Sequence, residues 1–471
     1  MNNPELLSPA GTLNNLRYAL AYGADAVYAG QPRYSLRVRN NDFTLENLAA
    51  GIAETHAQGK KFFVTSNLMP HNAKVATFLQ DIEPVIALQP DALIMADPGL
   101  IMQVRERWPE MPLHLSVQAN AVNWAAVKFW QQQGIERVIL SRELSLEEIE
   151  EIRQRCPDIE LEVFVHGALC IAYSGRCLLS GYFNHRDPNQ GSCTNSCRWE
   201  YRVQPAAEDV SGDLHPLDFD AMKAMRNPEP FAGCGNGERH PLADRSYLIE
   251  EQGRPGELMP IMEDEHGTYI MNSKDLRAVE HVERLVKIGV DSLKIEGRTK
   301  SHYYVARATL IYRRAIDDAV AGRPFDPTLL GELENLANRG YTDGFYQRHH
   351  SREYQNYLTN YSRSKRQIFV GEIRSFDGQS GLAEVEVKNK FRIGDRLELI
   401  LPSSSRTLTL ERMEDLNGNR MEEVPGGGYR VRIPLPITPE EPGLLARYLD
   451  EEKRQPSDCQ TETTDTEGAE H

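Results

Sequence analysis

The chain has 471 residues, 40% of them apolar and 26% charged, which is more than one ordinary hydrophobic core accommodates. No apolar run approaches the ~20 residues of a membrane span, and the opening MNNPELLSPAG lacks a basic stretch followed by an apolar one. Membrane and secreted classes are therefore not expected, and the expected location is cytoplasmic, where thiols stay reduced. The net charge of −16 argues against a uniformly basic nucleic-acid binder, but ten acidic and three basic residues from Glu440 onward supply −7 of it. Basic residues gather at Arg298, Lys300, Arg307, Arg313 and Arg314 and again at Arg363, Lys365 and Arg366, a local pattern compatible with RNA.

The first 165 residues alternate short apolar strands with amphipathic helices. ELLS at 5–8 reads as a strand. PAGT opens a helix over 13–22 with Leu13, Leu16 and Leu20 on one face, and Gly23 stops it. Strands follow at 26–29, 62–65, 92–95, 113–117, 138–140 and 161–165, with helices between them at 45–58, 73–88, 100–107, 124–133 and 146–155. Ser145 is placed to cap the last of these helices, with two glutamates in its first turn to suit the helix dipole. Asp97 is a candidate cap ahead of Pro98.

Such βα alternation gives an open doubly wound sheet or a closed (β/α)8 barrel. An eighth strand at 292–295, after a helix over 276–288, favours the TIM-like barrel, spanning 1–340 with a Cys-rich insertion at 166–270 after strand seven. Within the insertion, 226–241 reads as loop, and 247–250 and 269–271 as strands around a Pro/Gly turn. Helices are expected at 304–321 and 329–338.

Residues 341–366 interleave Tyr341, Tyr346, Tyr354, Tyr357 and Tyr361 with Arg348, Arg352 and Arg363. Taken alone this is a linker whose tyrosines pack on the barrel; its composition also suits base stacking beside cations. From 367 to 436 the pattern has period two, with turns at DGQSG, FRIGD and DLNGN, which predicts a small antiparallel β-barrel domain. The tail 437–471 is acidic and reads as partly disordered.

Four of the seven cysteines, Cys170, Cys177, Cys193 and Cys197, stand in one polar, glycine-bearing stretch with spacing C-x6-C-x15-C-x3-C. Clustered thiols in a reducing compartment point to metal binding. Structural zinc usually shows two close C-x2–4-C pairs, and the gap of six suits an iron–sulfur cluster as well or better. Cys234, in a Gly-rich loop, is an alternate ligand, whereas Cys156 and Cys459 look incidental. Gly167 and Gly175 let the backbone bend near Cys170 and Cys177.

Glu162, Phe164, Gly167, Ala168, Leu169, Cys170, Gly175, Cys177, Leu179 and Ser180 match the signature of the U32, or collagenase-like, peptidase family. PELLSPAG, ADAVYAG, LSVQAN and SLKIEGR resemble it too, so the likeness runs from residue 4 to about 440. Within the family, YGADAVYAGQPRYSLRVRNNDF and GRCLLSGYFNHRDPNQGSCTNSCRWEY are most similar to members that hydroxylate tRNA. That resemblance implies an oxygen-independent enzyme forming 5-hydroxyuridine at the wobble position in the anticodon loop. It also implies prephenate as hydroxyl source, a [4Fe–4S] cluster on the four cysteines, and dependence on the iron–sulfur assembly machinery.

A peptidase with a structural zinc, or a cluster-carrying accessory subunit, are the alternatives. A peptidase needs a nucleophile with a base in reach; His166 is near Cys170, but ligated thiols are poor nucleophiles, and there is no HExxH. Redox chemistry is the better-supported reading.

If prephenate binds, its two carboxylates call for cations. Candidates at strand ends are Lys294 and Arg298, with Glu296 and His166 as acid or base, and Arg37 and Arg39 after strand two. Asn67 and His71 follow strand three, and Gln118 and Asn120 end strand five. For the RNA, Arg348, Arg363, Lys365 and Arg366 are the candidate contacts.

Overall fold

The computed structural model describes residues 3–31, 33–35, 42–169, 275–338, 340–347, 367–436 and 442–449, and short strands at 201–208, 214–216, 247–251, 258–261, 263–264 and 267–268. Internal contacts divide the chain into two units near Ser364.

The first unit is a closed parallel barrel. Its strands are β1 (Glu5–Pro9), β2 (Ala26–Gly30), β3 (Lys61–Ser66), β4 (Ala92–Met95), β5 (Leu113–Leu115), β6 (Arg137–Ile139), β7 (Glu160–Ala168) and β8 (Ser292–Ile295). Each pairs with the next in sequence, and β8 closes the ring by pairing in parallel with both β1 (Glu5↔Ser292) and β7 (Ser292↔Glu162). The strands are buried along nearly their whole length, as parallel strands covered on both faces must be.

Helices α1 (Leu13–Ala21), α2 (Leu45–His56), α3 (Asn72–Val75), α4 (Phe78–Ile86), α5 (Pro98–Arg107), α6 (Trp124–Gln132) and α7 (Leu146–Arg155) follow the first six strands, and α8 (Val282–Ile288), α9 (His302–Val320) and α10 (Thr328–Glu334) come later. Six of them, α1, α2, α5, α6, α7 and α9, start where a side chain caps a free amide. Asp97 accepts from the Leu100 amide with Pro98 in the first turn of α5, and Ser145 and Glu148 form a reciprocal capping box on α7.

Several expected elements differ. The single helix over 73–88 is two, α3 and α4, and at the break the Thr77 hydroxyl binds the Asp81 carboxylate and the Tyr34 hydroxyl. Strand β5 stops at Leu115 and gives way to a 3-10 turn over Val117–Ala119, ended by Asn120 in the left-handed region (φ 52°). The helix expected over 276–288 begins only at Val282. Asp275–Arg277 is instead a strand running antiparallel to the end of β7 (Leu276↔Gly167), because β7 continues past the barrel to Ala168 and leaves an edge to be paired. The strand Tyr247–Glu251 pairs with Leu258–Ile261 and with Tyr201–Glu208; the expected 269–271 strand lies outside the described residues.

The tyrosines expected in a linker belong in part to the barrel unit. Tyr341–Thr342 adds in parallel to Asp275–Leu276, the Tyr341 hydroxyl donates to Leu333 O, and buried Tyr346 donates to Phe164 O at 2.6 Å. The second unit is antiparallel throughout, with six strands in the order Ser405–Thr409, Arg396–Ile400, Leu444–Tyr448, Gln367–Asp377, Leu382–Val387, Arg430–Pro434, and a two-stranded ribbon of Asn389–Arg392 with Glu423–Gly426. Among the described strands these make the small antiparallel domain that the period-two pattern predicts, and a bridge from Glu414 to Arg432 continues the pairing beyond one outer strand.

Where β7 meets β8 the register slips by one residue, from Lys294↔Phe164 to Ile295↔His166. Bulges of this kind re-aim side chains at barrel rims. Beside it Gly167 holds φ +105°, and a Cβ there would stand 2.5 Å from the Glu296 carbonyl oxygen. Only glycine suits both demands. A Gly167→Ala variant is therefore expected to lose about 2–3 kcal/mol, read as a lowered urea midpoint with an unchanged m-value.

Candidate active site

A cavity opens at the C-terminal ends of the barrel strands, the face on which enzymes of this architecture work. Cations line it: Lys294 inside β8, Arg298 just beyond β8, and Arg142 beyond β6. Amides face them from Asn67 and Gln118, and the rings of Tyr28 and Phe164 complete the wall, with Glu296 beside them.

Each cation is held by partners that the barrel supplies. Lys294 donates to Glu162 at 2.7 Å, and Glu162, fully buried, also takes Arg137 at 3.1 Å. Arg137 in turn reaches Glu5 at 2.6 Å and Glu160 at 2.7 Å, so the floor of the barrel is a buried ion network. Burial lowers the Lys294 pKa, and the Glu162 carboxylate pulls the other way. The Lys294 ammonium also lies 4.4 Å from the Tyr28 ring centre.

Arg298 donates through Nη1 to Ser35 Oγ (2.7 Å) and Thr65 Oγ1 (2.6 Å). Gly30 makes room for this, since a Cβ there would stand 2.7 Å from Ser35 Oγ and 2.8 Å from Arg298 Nη1. Arg142 donates to Ala168 O, holds its guanidinium carbon 3.8 Å from the Phe164 ring centre, and approaches Glu296 at 3.7 Å. Asn67 donates to Ser116 Oγ at 3.2 Å, and Tyr28 donates its hydroxyl to Ile295 O. Burial keeps the Tyr28 phenol protonated, raising its pKa well above the usual value.

A small, net-cationic cleft with aromatic walls suits an unsaturated or aromatic carboxylate. Neither a cysteine nor a histidine lines it, so the described lining carries no Cys–His or Ser–His pair for acyl transfer.

Of the residues singled out in the sequence, Asn67, Gln118, Lys294, Glu296 and Arg298 come together here. Asn120 ends the 3-10 turn and His71 precedes α3; neither is among the lining residues. His166 is not in the cleft either. It is buried in a cage of Tyr304, Tyr312 and Tyr341, with ring centres 5.4–5.7 Å away, because the slip in β7 turns it toward α9. Arg37, Arg39, Cys170, Cys177, Cys193, Cys197, Cys234, Arg348, Arg363, Lys365 and Arg366 lie outside the described residues. The sequence reading missed Arg142, though it follows a strand end in VILSRE, the same signal that picked out Arg298. It took Glu162 only as part of a motif, although a carboxylate inside an apolar strand needs a buried cation.

Burial pushes the His166 pKa down to about 3, and His114, against Phe63, is driven well below its usual value for the same reason. Both are neutral in the fold and take up a proton on unfolding near pH 6.5. Their contribution is complete above that pH and is lost as pH falls. Between about pH 7 and about pH 5 His166 is expected to cost about 2 kcal/mol of unfolding free energy, at ~1.4 kcal/mol per pH unit, and His114 acts in the same direction. Urea titrations at the two pH values check this, and a His166→Phe variant should show the shallower dependence.

Residues 11–356 match the model of Peptidase family U32, and 365–447 match the family's C-terminal domain. The chain is 64% identical to tRNA hydroxylation protein P of Escherichia coli (strain K12) over 93% of its length and 94% of that protein's. It is 58% identical to tRNA hydroxylation protein P of Haemophilus influenzae, over 92% of this chain and 93% of that one. It is also 34% identical to tRNA hydroxylation protein P1 of Bacillus subtilis, over 89% of each. The family resemblance borne by the Glu162–Ser180 motif thus extends over both units, and the chain belongs to peptidase family U32.

Proposed function

We propose that this chain is a tRNA-modifying enzyme that hydroxylates the wobble uridine of the anticodon loop to 5-hydroxyuridine without dioxygen, taking the hydroxyl oxygen from prephenate. The observation that carries the reading is the likeness, over nearly the full length of both chains, to proteins named for tRNA hydroxylation. The cleft supports it: Lys294, Arg298 and Arg142 offer cations for two carboxylates, and Tyr28 and Phe164 offer flat walls for a cyclohexadiene ring. The Asn67 and Gln118 amides suit the keto and hydroxyl groups or a uracil edge. Glu296, the carboxylate of the lining, is proposed to accept the C5 proton. Arg348, Arg363, Lys365 and Arg366 are proposed to meet RNA phosphates.

The four cysteines would hold a [4Fe–4S] cluster delivered by the iron–sulfur assembly machinery. Four thiolates are the soft donor set such a cluster takes, and Cys170 follows Ala168, a lining residue, by two positions. If the oxygen leaves prephenate as hydroxide, replacing C5–H by C5–OH releases one proton and two electrons, and a bound cluster would carry those electrons one at a time to an external one-electron acceptor.

Anaerobic purification tests the reading. A brown protein with about four irons and matching sulfide, binding prephenate in a calorimeter, is expected. A colourless protein carrying one tight zinc and indifferent to prephenate would overturn it. Among the described residues no helix is long and apolar enough to cross a membrane.

A further inference from the structure

On the barrel unit, away from the cleft lining, four side chains meet around one ring nitrogen. His281 ends the 3-10 turn Val279–His281 and is 6% exposed. Its Nε2 stands 3.4 Å from Glu280 Oε1, 3.4 Å from Asp343 Oδ2 and 3.4 Å from the Gln347 amide nitrogen. The ligand atoms of Glu280, His281 and Asp343 all lie within 4.8 Å of one another.

Hydrogen bonding does not account for this arrangement. An imidazole nitrogen carries one proton or one lone pair, so it cannot donate to the two carboxylates and accept from the Gln347 amide at once. A single good bond would draw one partner in to about 2.7–3.0 Å and leave the others farther off. Here the three distances are equal and all long. Around a tetrahedral ion with bonds of about 2.0–2.1 Å, by contrast, neighbouring ligand atoms stand roughly 3.3–3.4 Å apart. Turning the Gln347 amide over presents its carbonyl oxygen in place of the nitrogen, an exchange that coordinates of this kind leave open.

We propose that Glu280, His281, Asp343 and Gln347 form a binding site for a divalent transition-metal ion, zinc first. The donor set is one imidazole nitrogen, two carboxylate oxygens and one amide oxygen, which suits a borderline cation better than calcium or magnesium. Two carboxylates balance the charge of the ion. The site would tie the 343–347 segment to the turn before α8. Tyr346, from that segment, packs its ring edge-on against His281 and donates to the Phe164 carbonyl on β7, so the ion would brace a strand whose Phe164 and Ala168 line the cleft. A structural rather than catalytic role follows, since no side chain of the set lines the cleft.

The test uses the full chain, purified anaerobically with whatever metal its cysteine segment retains, so that this background is common to every sample. Each protein is equilibrated with zinc chloride in a weak zinc buffer, and bound zinc is counted per chain. Wild type is expected to hold one equivalent more than Glu280→Ala, Asp343→Asn and His281→Ala, with unchanged iron. Its thermal midpoint should rise on adding zinc, and those of the variants should not. If His281→Ala does not fold, Glu280→Ala decides, since that side chain is 39% exposed and its removal leaves the core intact. Equal zinc in wild type and folded variants would overturn the proposal and leave the group as a histidine shared between two carboxylates.

Discussion

Replacing Glu162 with alanine is expected to cost about 3–5 kcal/mol of stability, the range for removing one partner from a buried ion pair. The reason is the burial of what remains. Lys294 would lose the carboxylate 2.7 Å away, and Arg137 would keep only Glu5 and Glu160. An ammonium in a barrel core then deprotonates or drags water inward, and either costs free energy. Urea unfolding at neutral pH measures the loss. Glu162→Gln, which keeps the shape and one acceptor, should lose less. The double variant Glu162→Ala/Lys294→Met should recover much of the deficit, because an apolar replacement of the whole pair removes both desolvation costs. A double variant as unstable as the single one would mean that the pairing with Lys294 is not what Glu162 contributes.

Arg298→Ala is expected to weaken prephenate binding about 10- to 100-fold, the loss of one charge-assisted contact of roughly 1.5–3 kcal/mol. Its guanidinium is anchored from behind by Ser35 and Thr65, so its direction toward the cleft is set before any ligand arrives. Arg298→Lys should not restore the affinity, since an ammonium cannot hold both hydroxyls and grip a carboxylate bidentately. Calorimetry with prephenate gives the affinities, and a urea titration of the same variants separates loss of binding from loss of fold. Wild-type affinity in a folded Arg298→Ala protein would move the carboxylate site elsewhere.

The barrel was legible because its signals are local. Strands such as AVYA and ALIM are short apolar runs, the helices between them carry one apolar face, and caps such as Asp97–Pro98 and Ser145 mark where they start. What escaped depends on tertiary partners. Asp275–Arg277 has no strand pattern of its own and is extended because β7 overshoots the barrel and offers an edge. The break between α3 and α4 reflects a Thr77 hydroxyl tied to Asp81 and Tyr34, the latter distant in sequence. In the site, residues were chosen by position just past strand ends, and Asn67, Gln118, Glu296 and Arg298 do line the cleft, as does Arg142, which the same position would have picked out. His166 failed the same rule, since a one-residue slip in register decides whether a side chain faces the cleft or the helices.

The most direct measurement is mass spectrometry of tRNA nucleosides after anaerobic incubation of the cluster-loaded protein with unmodified tRNA, a soluble one-electron acceptor and prephenate carrying 18O in its ring hydroxyl. The account predicts a hydroxylated uridine at the wobble position bearing the label, with little product from the Arg298→Ala protein. Unmodified uridine throughout, or a hydroxyl group without label, would contradict it.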